Sequence, residues 1–134
     1  MTTAAQLTTL ASQINSGGFH LAARNFAYPL PIFLGNTTTV AETPEQVGAL
    51  LRQLRVLVRA RGYRRLVPRM ASVELPRRGR FRVWVDWIGD GPTGQQPLFR
   101  TVCYNHGSAE DNLTQMVRVE TLALPRRASR RKAA

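Results

Sequence analysis

Cysteine is almost absent from this sequence. Cys103 is the only one in 134 residues, so no disulfide can form within the chain. A lone thiol is typical of proteins in a reducing compartment, whereas small secreted domains usually carry several paired cysteines. We therefore expect a cytoplasmic protein.

Long apolar runs and clusters of metal-ligating residues are also missing. No stretch approaches the roughly 20 apolar residues that a membrane span needs, and residues 1–14 lack the basic start and apolar segment of a secretory signal. The two histidines and the cysteine lie far apart, without the spacing of a zinc site. Gly89, Gly91 and Gly94 have the spacing of a dinucleotide-binding loop, but they join two predicted strands, so no helix N-terminus would hold a phosphate. The sequence predicts no membrane segment, no metal and no cofactor.

Lysine is nearly absent, and arginine supplies the positive charge. Of the 19 basic residues, 18 are arginines, and the formal net charge is +11. Eleven arginines fall within residues 52–82, where Glu74 is the only acid. This pattern is compatible with a solvated basic surface that reflects a compositional bias, or with an anionic partner such as a nucleic acid.

The clearest local signal is a helix over residues 43–62. Thr43 is a good N-cap, Pro44 suits the first helical position, and Gln46 completes a Thr-x-x-Gln capping box. Apolar residues then recur at helical spacing until Gly62 supplies a left-handed stop. These apolar residues are Val47, Leu50, Leu51, Leu54 and Val58.

The other elements follow from apolar periodicity and from proline and glycine breaks. Two short helices are predicted over residues 1–16 and 19–26. The predicted strands are residues 32–34 and 37–40 before the long helix, and 66–75, 81–88, 97–106 and 113–124 after it. We expect one α+β domain over residues 1–124, in the order helix, helix, short strand pair, long helix and four-strand meander. Residues 125–134 form a basic segment with nothing to bury, which predicts a disordered tail.

Side-chain alternation separates two faces of the meander. With tight pairing, the odd positions share a mostly apolar face that should cover the long helix. The even positions mix aromatic and charged groups, which favours cross-strand pairs such as Glu74 with Arg82 and Asp86 with Arg100. A β-bulge would invert part of this assignment. An aromatic face with balanced charges is typical of a homodimer contact, and its central residues would be Trp84, Tyr104, Met116 and Arg118.

Three passages resemble the cone-shaped α+β fold of the nuclear-transport-factor-like superfamily, which includes ketosteroid isomerases and SnoaL-like polyketide cyclases. They are residues 26–34, residues 43–47 at the start of the long helix, and residues 79–87, and the resemblance covers about residues 5–124. It implies a curved mixed or antiparallel sheet wrapped around helices. It also implies an apolar pocket at the open end and homodimers through the outer sheet face.

The implied pocket would accept a small apolar or aromatic molecule. Its candidate lining residues are Tyr28, Phe33, Trp87, Cys103, Asn105 and Gln115. In catalytic members of the superfamily an aspartate, or a set of tyrosine, aspartate and histidine, lies inside the cone. An isomerase or cyclase would therefore need Asp86 or His20 there, although Asp86 is assigned to the outer face and could simply pair with Arg100 or Arg82. The third hypothesis is an accessory protein that binds anions or nucleic acid through the arginines of residues 52–82.

Overall fold

A computed structural model describes residues 2–108 and 110–121. The predicted tail, residues 125–134, and the end of the fourth meander strand, residues 122–124, lie outside this range. The helices are α1 (Thr3–Ser16), α2 (Phe19–Ala22), a short 3-10 helix (Ala23–Asn25) and α3 (Pro44–Ala60). The strands are β1 (Leu30–Leu34), β2 (Thr37–Ala41), β3 (Arg65–Val73), β4 (Arg80–Gly91), β5 (Gly94–Gly107) and β6 (Asn112–Thr121). The predicted order of elements is confirmed.

The ends of the long helix form as predicted. The Thr43 hydroxyl accepts a hydrogen bond from the backbone N–H of Gln46 (3.3 Å), and the Gln46 side chain accepts one from the N–H of Glu42 (2.6 Å). Gly62 follows the helix with a φ of 90°, a conformation that costs glycine little. Pro44 occupies the first turn, where its missing N–H would have no helical partner.

The strands form one mixed sheet in the order β2-β1-β6-β5-β4-β3. Strands β1 and β6 run parallel, and the other neighbouring pairs are antiparallel. The sheet does not close, since β2 and β3 are its edges. It wraps around the helices in the cone-shaped α+β arrangement.

Three register shifts change which side chains face the helices. Ala71 in β3, Leu98 in β5 and Gln115 in β6 each have no cross-strand partner at a shift. A bulge reverses the alternation of its strand beyond the extra residue. The prediction that odd positions face inward is therefore wrong at the start of β3, where Leu66 is buried, and at the start of β6, where Thr114 is buried.

The buried core has two parts. One joins α1, α2 and the C-terminal end of α3 to β3 and β4, and the other joins the N-terminal end of α3 to β1, β2 and β6. Val58 belongs to the first part and Val47 to the second. The long helix thus contacts both halves of the sheet and leaves space between the two clusters.

Candidate ligand cavity

A cavity of about 410 Å³ lies between α1, α3 and the inner face of the sheet. Its size is within the usual range of small-molecule sites. Most of its wall is apolar. The wall side chains include Leu7 and Leu10 from α1, Leu50, Leu51, Leu54 and Leu57 from α3, and Leu30, Ile32, Val83, Trp87, Phe99, Val117 and Val119 from the sheet.

The cavity opens to solvent beside exposed leucines. Leu34 at the end of β1 is 56% exposed, and Leu57 on α3 is 59% exposed, although both line the cavity. Leu50, two helical turns before Leu57 on α3, is 40% exposed. Apolar side chains grouped at an opening are typical of a surface that a ligand or partner covers.

A polar network forms the wall where α1 meets the β5–β6 hairpin. The Thr114 hydroxyl donates to Asn105 Oδ1 (2.9 Å), and Asn105 Nδ2 donates to Asn112 Oδ1 (2.9 Å). Asn112 Nδ2 donates in turn to Gln6 Oε1 (3.2 Å), while Gln6 Nε2 donates to the Asn112 carbonyl (3.1 Å). Gln6, Asn105 and Thr114 all line the cavity, so one part of its wall carries several neutral hydrogen-bonding groups.

A second polar contact joins β4 and β5 at the cavity wall. Trp87 Nε1 donates to Thr101 Oγ1 (2.9 Å), and the Cys103 thiol lies 3.7 Å from the same oxygen. Burial raises the pKa of Cys103 to about 11. The thiol is therefore protonated at neutral pH and is a poor nucleophile.

The sequence-predicted lining residues divide into two groups. Trp87, Cys103 and Asn105 line the cavity, as their positions on the inner face require. Tyr28, Phe33 and Gln115 are not among the described lining residues.

Each of these three corrections has a local cause. Tyr28 packs against the buried cluster of β1 and β6, and its hydroxyl donates to the Ala23 carbonyl (2.6 Å). Phe33 lies on the opposite face from its neighbours Ile32 and Leu34, which line the cavity. Gln115 is the bulged residue of β6, and the bulge places Thr114 on the inner face instead.

Asp86 lies on the outer face of the sheet and does not line the cavity. It is 6% exposed; Arg100 Nε donates to Oδ1 (2.6 Å), and Arg69 Nη2 lies 3.5 Å from Oδ2. The hydrogen bond from Arg100, aided by Arg69, lowers the pKa of Asp86. The expected cross-strand pairs, Asp86 with Arg100 and Glu74 with Arg82, are both present.

His20 is also outside the main cavity. It borders a second space of about 290 Å³ between α2 and α3, together with Glu45 and Arg52. Neither of the two acid–base candidates therefore reaches the apolar cavity. Among the described residues, no carboxylate or imidazole side chain lines the apolar cavity. The isomerase hypothesis therefore lacks an acid–base group at this site.

Sequence reasoning missed the contribution of α1 and the polar network. Leu7, Leu10 and Ile14 recur at helical spacing in the first predicted helix, and they form the face of α1 that borders the cavity. Gln6 and Thr114 carried no signal, because their proximity depends on the β5–β6 hairpin folding back onto α1.

The four residues predicted at a dimer contact lie together on the outer face. The register places Val102 between Trp84 on β4 and Arg118 on β6, and it places Tyr104 opposite Met116. Arg82 stacks on Trp84, with its guanidinium 5.0 Å from the ring centre, and Arg118 lies 6.0 Å from the ring centre of Tyr104. These contacts form a compact aromatic and basic surface.

Residues 2–108 and 110–121 contain no group of three histidine, cysteine or acidic residues placed to hold a metal ion. None of their helices combines the length and apolarity needed to cross a bilayer.

Neither a protein-family model nor a curated protein matches this sequence. Solved structures do resemble the fold. One is a domain of unknown function with a cystatin-like fold from Nostoc punctiforme, with 13% identity and a TM-score of 0.65 over 86% of this chain and 72% of that one. Another is an NTF-2 like protein of unknown function from Shewanella oneidensis, with 9% identity and a TM-score of 0.64 over 86% of this chain and 93% of that one.

A third similar structure is Aln2 from a Streptomyces species, with 16% identity and a TM-score of 0.64 over 85% of this chain and 84% of that one. The TM-scores show a shared fold. Sequence identities this low carry no activity from one protein to another. The chain therefore has the cone-shaped NTF2-like fold, also called cystatin-like.

Proposed function

We propose that this protein binds a small apolar molecule in the cavity between α1, α3 and the sheet. The observation that carries the proposal is an open cavity of about 410 Å³ whose wall is apolar except for a few neutral polar side chains. Such a combination is the usual form of a small-molecule site. The exposed side chains of Leu34, Leu50 and Leu57 at its opening would lose contact with water when a ligand enters.

Apolar burial would supply most of the affinity. Each methylene group moved from water into the cavity contributes about 0.8 kcal/mol. A ligand of moderate size can therefore reach micromolar affinity without a charged contact. The polar groups of Gln6, Asn105 and Thr114 would orient it.

The neutral fluorescent probe N-phenyl-naphthylamine tests this proposal. Its emission should rise on binding to the purified protein, and the rise should saturate. Leu50→Trp places a larger side chain at the opening and should weaken probe binding by roughly 10-fold, because it occupies volume that the ligand needs. Val56→Trp is the matched control: Val56 is on the same helix, 61% exposed and outside the cavity wall.

Two results would contradict the proposal. One is the absence of saturable probe binding to the folded protein. The other is equal binding by the Leu50→Trp and Val56→Trp variants, which would mean that the probe binds elsewhere.

We further propose that two copies associate through the outer sheet face. Aromatic residues, methionine and arginine are enriched in protein interfaces, and this face presents Trp84, Tyr104, Met116 and Arg118. Its carboxylates Asp86 and Glu74 already pair with arginines of the same chain. These pairs offset part of the positive charge that the arginines of two associating faces would bring together.

Analytical ultracentrifugation over a dilution series tests this association. The protein should sediment as a dimer, and Met116→Glu should shift it to a monomer by placing a carboxylate at the centre of the contact. Val56→Glu is the control, since Val56 is 61% exposed on α3, the helix that packs against the opposite face of the sheet. A monomeric parent protein, or a variant that remains dimeric, would remove the proposal.

A second candidate function is binding to a nucleic acid backbone. Arg52, Arg59, Arg61 and Arg64 are exposed, on α3 or just after it. None of them forms an ion pair with a carboxylate among the described residues. Phosphate recognition without sequence preference needs little more than such a stripe of cations.

Fluorescence anisotropy with a labelled DNA oligonucleotide tests this candidate. Affinity should fall steeply with salt, and the triple variant Arg52→Gln, Arg59→Gln, Arg64→Gln should reduce the slope of log K against log salt by about 3. The triple variant Arg77→Gln, Arg78→Gln, Arg80→Gln removes the same charge from the β3–β4 turn and serves as control. No binding at low salt, or equal losses in both variants, would contradict a specific role for α3.

A further inference from the structure

The wall of the cavity carries no charge. None of its 25 lining residues is an aspartate, glutamate, histidine, lysine or arginine. Cys103 is the one lining residue with a titratable thiol, and its pKa is raised to about 11, so it is neutral near pH 7. A ligand with a carboxylate, phosphate or ammonium group would find no counter-ion among the described residues.

A charged ligand would therefore pay a large desolvation cost. An ionised group that leaves water for an apolar environment without a partner loses many kcal/mol, and in practice it is excluded or neutralised. Neutral hydrogen-bonding groups are tolerated where the wall can satisfy them. The chemistry of the wall therefore selects against charge but tolerates a neutral polar group beside the polar side chains of the wall.

Among the polar lining residues, Gln6, Asn105 and Thr114 form a hydrogen-bonded network through Asn112. The other neutral polar lining residues are Thr3, Asn25, Gln53 and Thr101. Asn105 uses one amide N–H toward Asn112 and accepts one hydrogen bond from Thr114. A neutral amide has two N–H donors and two acceptor sites, so the side-chain bonds formed within residues 2–108 and 110–121 leave one of each for a ligand. The Thr114 oxygen donates to Asn105 and also has lone pairs to accept with. The wall can therefore both donate to and accept from a single ligand group.

Beyond this network, the lining residues that β1 and β6 contribute are all apolar: Leu30, Ile32, Leu34, Val117 and Val119. Val119, on the same strand as Thr114, lies five residues further on, about 16 Å away at the usual rise per residue. It pairs with Leu34 at the exposed opening. A hydrocarbon chain or ring system would lie along this stretch, between α3 and strands β1 and β6.

We propose that the ligand is an uncharged molecule with one hydrogen-bonding group, such as an alcohol, ketone or amide. Gln6, Asn105 and Thr114 bind that group, and the hydrocarbon part extends toward Leu34 and Leu57. This inference rests on the proposed ligand-binding function and adds the charge, polarity and orientation of the ligand.

A matched series of octyl compounds tests the selection against charge. Octanol, octanamide, octanoate and octylammonium share one chain and differ in the end group. At pH 7, octanol and octanamide should displace the fluorescent probe at concentrations at least 10-fold lower, roughly, than the two charged compounds, because the cavity lacks a counter-ion. Equal displacement by octanoate or octylammonium would overturn the inference.

Two variants test the orientation. Thr114→Val removes the hydroxyl while keeping the shape, and Gln6→Met removes the amide at a half-buried position of α1. Each variant should bind octanol roughly 5-fold more weakly, as expected for one lost hydrogen bond. The affinity for octyl chloride should stay unchanged. Thr39→Val makes the same change as Thr114→Val at an exposed position of β2, outside the cavity, and should affect neither ligand.

The outcomes distinguish a failure of ligand binding from a failure of the proposed selectivity or orientation. Probe binding together with equal affinity for charged and neutral octyl compounds would overturn this inference and leave the proposed function standing. Probe binding with octanol and octyl chloride equally affected in Thr114→Val and Gln6→Met would overturn the orientation. Circular dichroism and thermal unfolding of each variant verify that the comparison is made on folded protein.

Discussion

The indole N–H of Trp87 donates to the hydroxyl of Thr101, 2.9 Å away on the neighbouring strand. Both residues line the cavity and are nearly inaccessible to water, with Trp87 5% and Thr101 8% exposed. The bond allows a large aromatic ring to form part of an apolar wall without leaving its polar atom unpaired. The bond therefore holds Trp87 in a position where its ring both packs in the core and lines the cavity.

Thr101→Val should destabilise the protein by about 1 to 3 kcal/mol, because the buried indole N–H would lose its acceptor. Thr101→Ser keeps the oxygen and should cost less. Urea unfolding followed by far-ultraviolet circular dichroism measures both. Equal stability of the valine and serine variants would show that the hydrogen bond contributes nothing.

Asp86→Asn should lower the free energy of unfolding by about 2 to 3 kcal/mol near neutral pH, since hydrogen bonds to charged partners are the stronger class. Asp90→Asn is the control: its partner Arg65 is much more exposed, and an exposed pair contributes about 1 kcal/mol or less. Chemical denaturation of both variants gives the comparison. A cost for Asp90→Asn as large as that for Asp86→Asn would contradict the role of burial.

The contribution of Asp86 should also depend on pH. Arg100 and Arg69 lower its pKa in the folded protein, so the folded state binds fewer protons than the unfolded state and stability rises with pH. The contribution is complete above the unfolded pKa of about 3.9 and is lost as pH falls through the lower, folded pKa. The stability difference between the parent protein and Asp86→Asn should stay constant from roughly pH 5 to 8 and shrink below about pH 4. A difference that persists unchanged in acid would contradict this assignment.

Two glycine-to-alanine changes should have opposite effects. A Cβ atom at Gly89 would lie 2.7 Å from the Tyr63 ring, whose hydroxyl is held by Gln96 at 2.6 Å. We expect Gly89→Ala to destabilise by about 1 to 3 kcal/mol through overpacking. Gly48→Ala, inside α3 with its nearest neighbour at 3.8 Å, should stabilise by about 0.5 to 1 kcal/mol. Thermal unfolding should therefore move in opposite directions, and a shift of the same sign would contradict the packing at Gly89.

Cys103 should react slowly with thiol reagents. With its pKa at about 11 instead of the usual 9.0, the thiolate fraction at pH 8 is lower by roughly 100-fold, and the thiolate is the reactive form. Labelling by iodoacetamide at pH 8 should be at least 10-fold slower, roughly, in the folded protein than in urea. Comparable rates in both states would show that the thiol is accessible and unperturbed.

Most of the secondary structure could be predicted from the sequence, because helix caps, turns and apolar periodicity depend on neighbouring residues. Thr43, Gln46 and Gly62 act on backbone groups within one turn of α3, so the ends of this helix follow from a few neighbouring residues. The same is true of the turn glycines between strands. The order of elements and the resemblance in fold followed from these local signals.

The faces of the strands could be predicted only in part. Phe81, Val83, Val85 and Trp87 alternate without interruption, and their side chains are buried as expected. In β3 and β6 the bulges at Ala71 and Gln115 reverse the alternation, and neither residue differs in type from those in regular strands. A bulge depends on how two distant strands fit against each other and against the helices, and such fit has no local sequence signature.

The amino-acid sequence alone therefore establishes the ends of α3, the order of helices and strands, and the outward position of Asp86. It does not establish the end of the second helix, predicted at residue 26, because α2 ends at Ala22 and a 3-10 helix follows. The cavity wall depended on folding: Gln6, Asn105 and Thr114 come from three separate elements, and a one-residue shift in β6 brought Thr114 inward in place of Gln115. The physical reason is range, since caps and turns involve adjacent residues, whereas a cavity is the volume that packed elements leave unfilled.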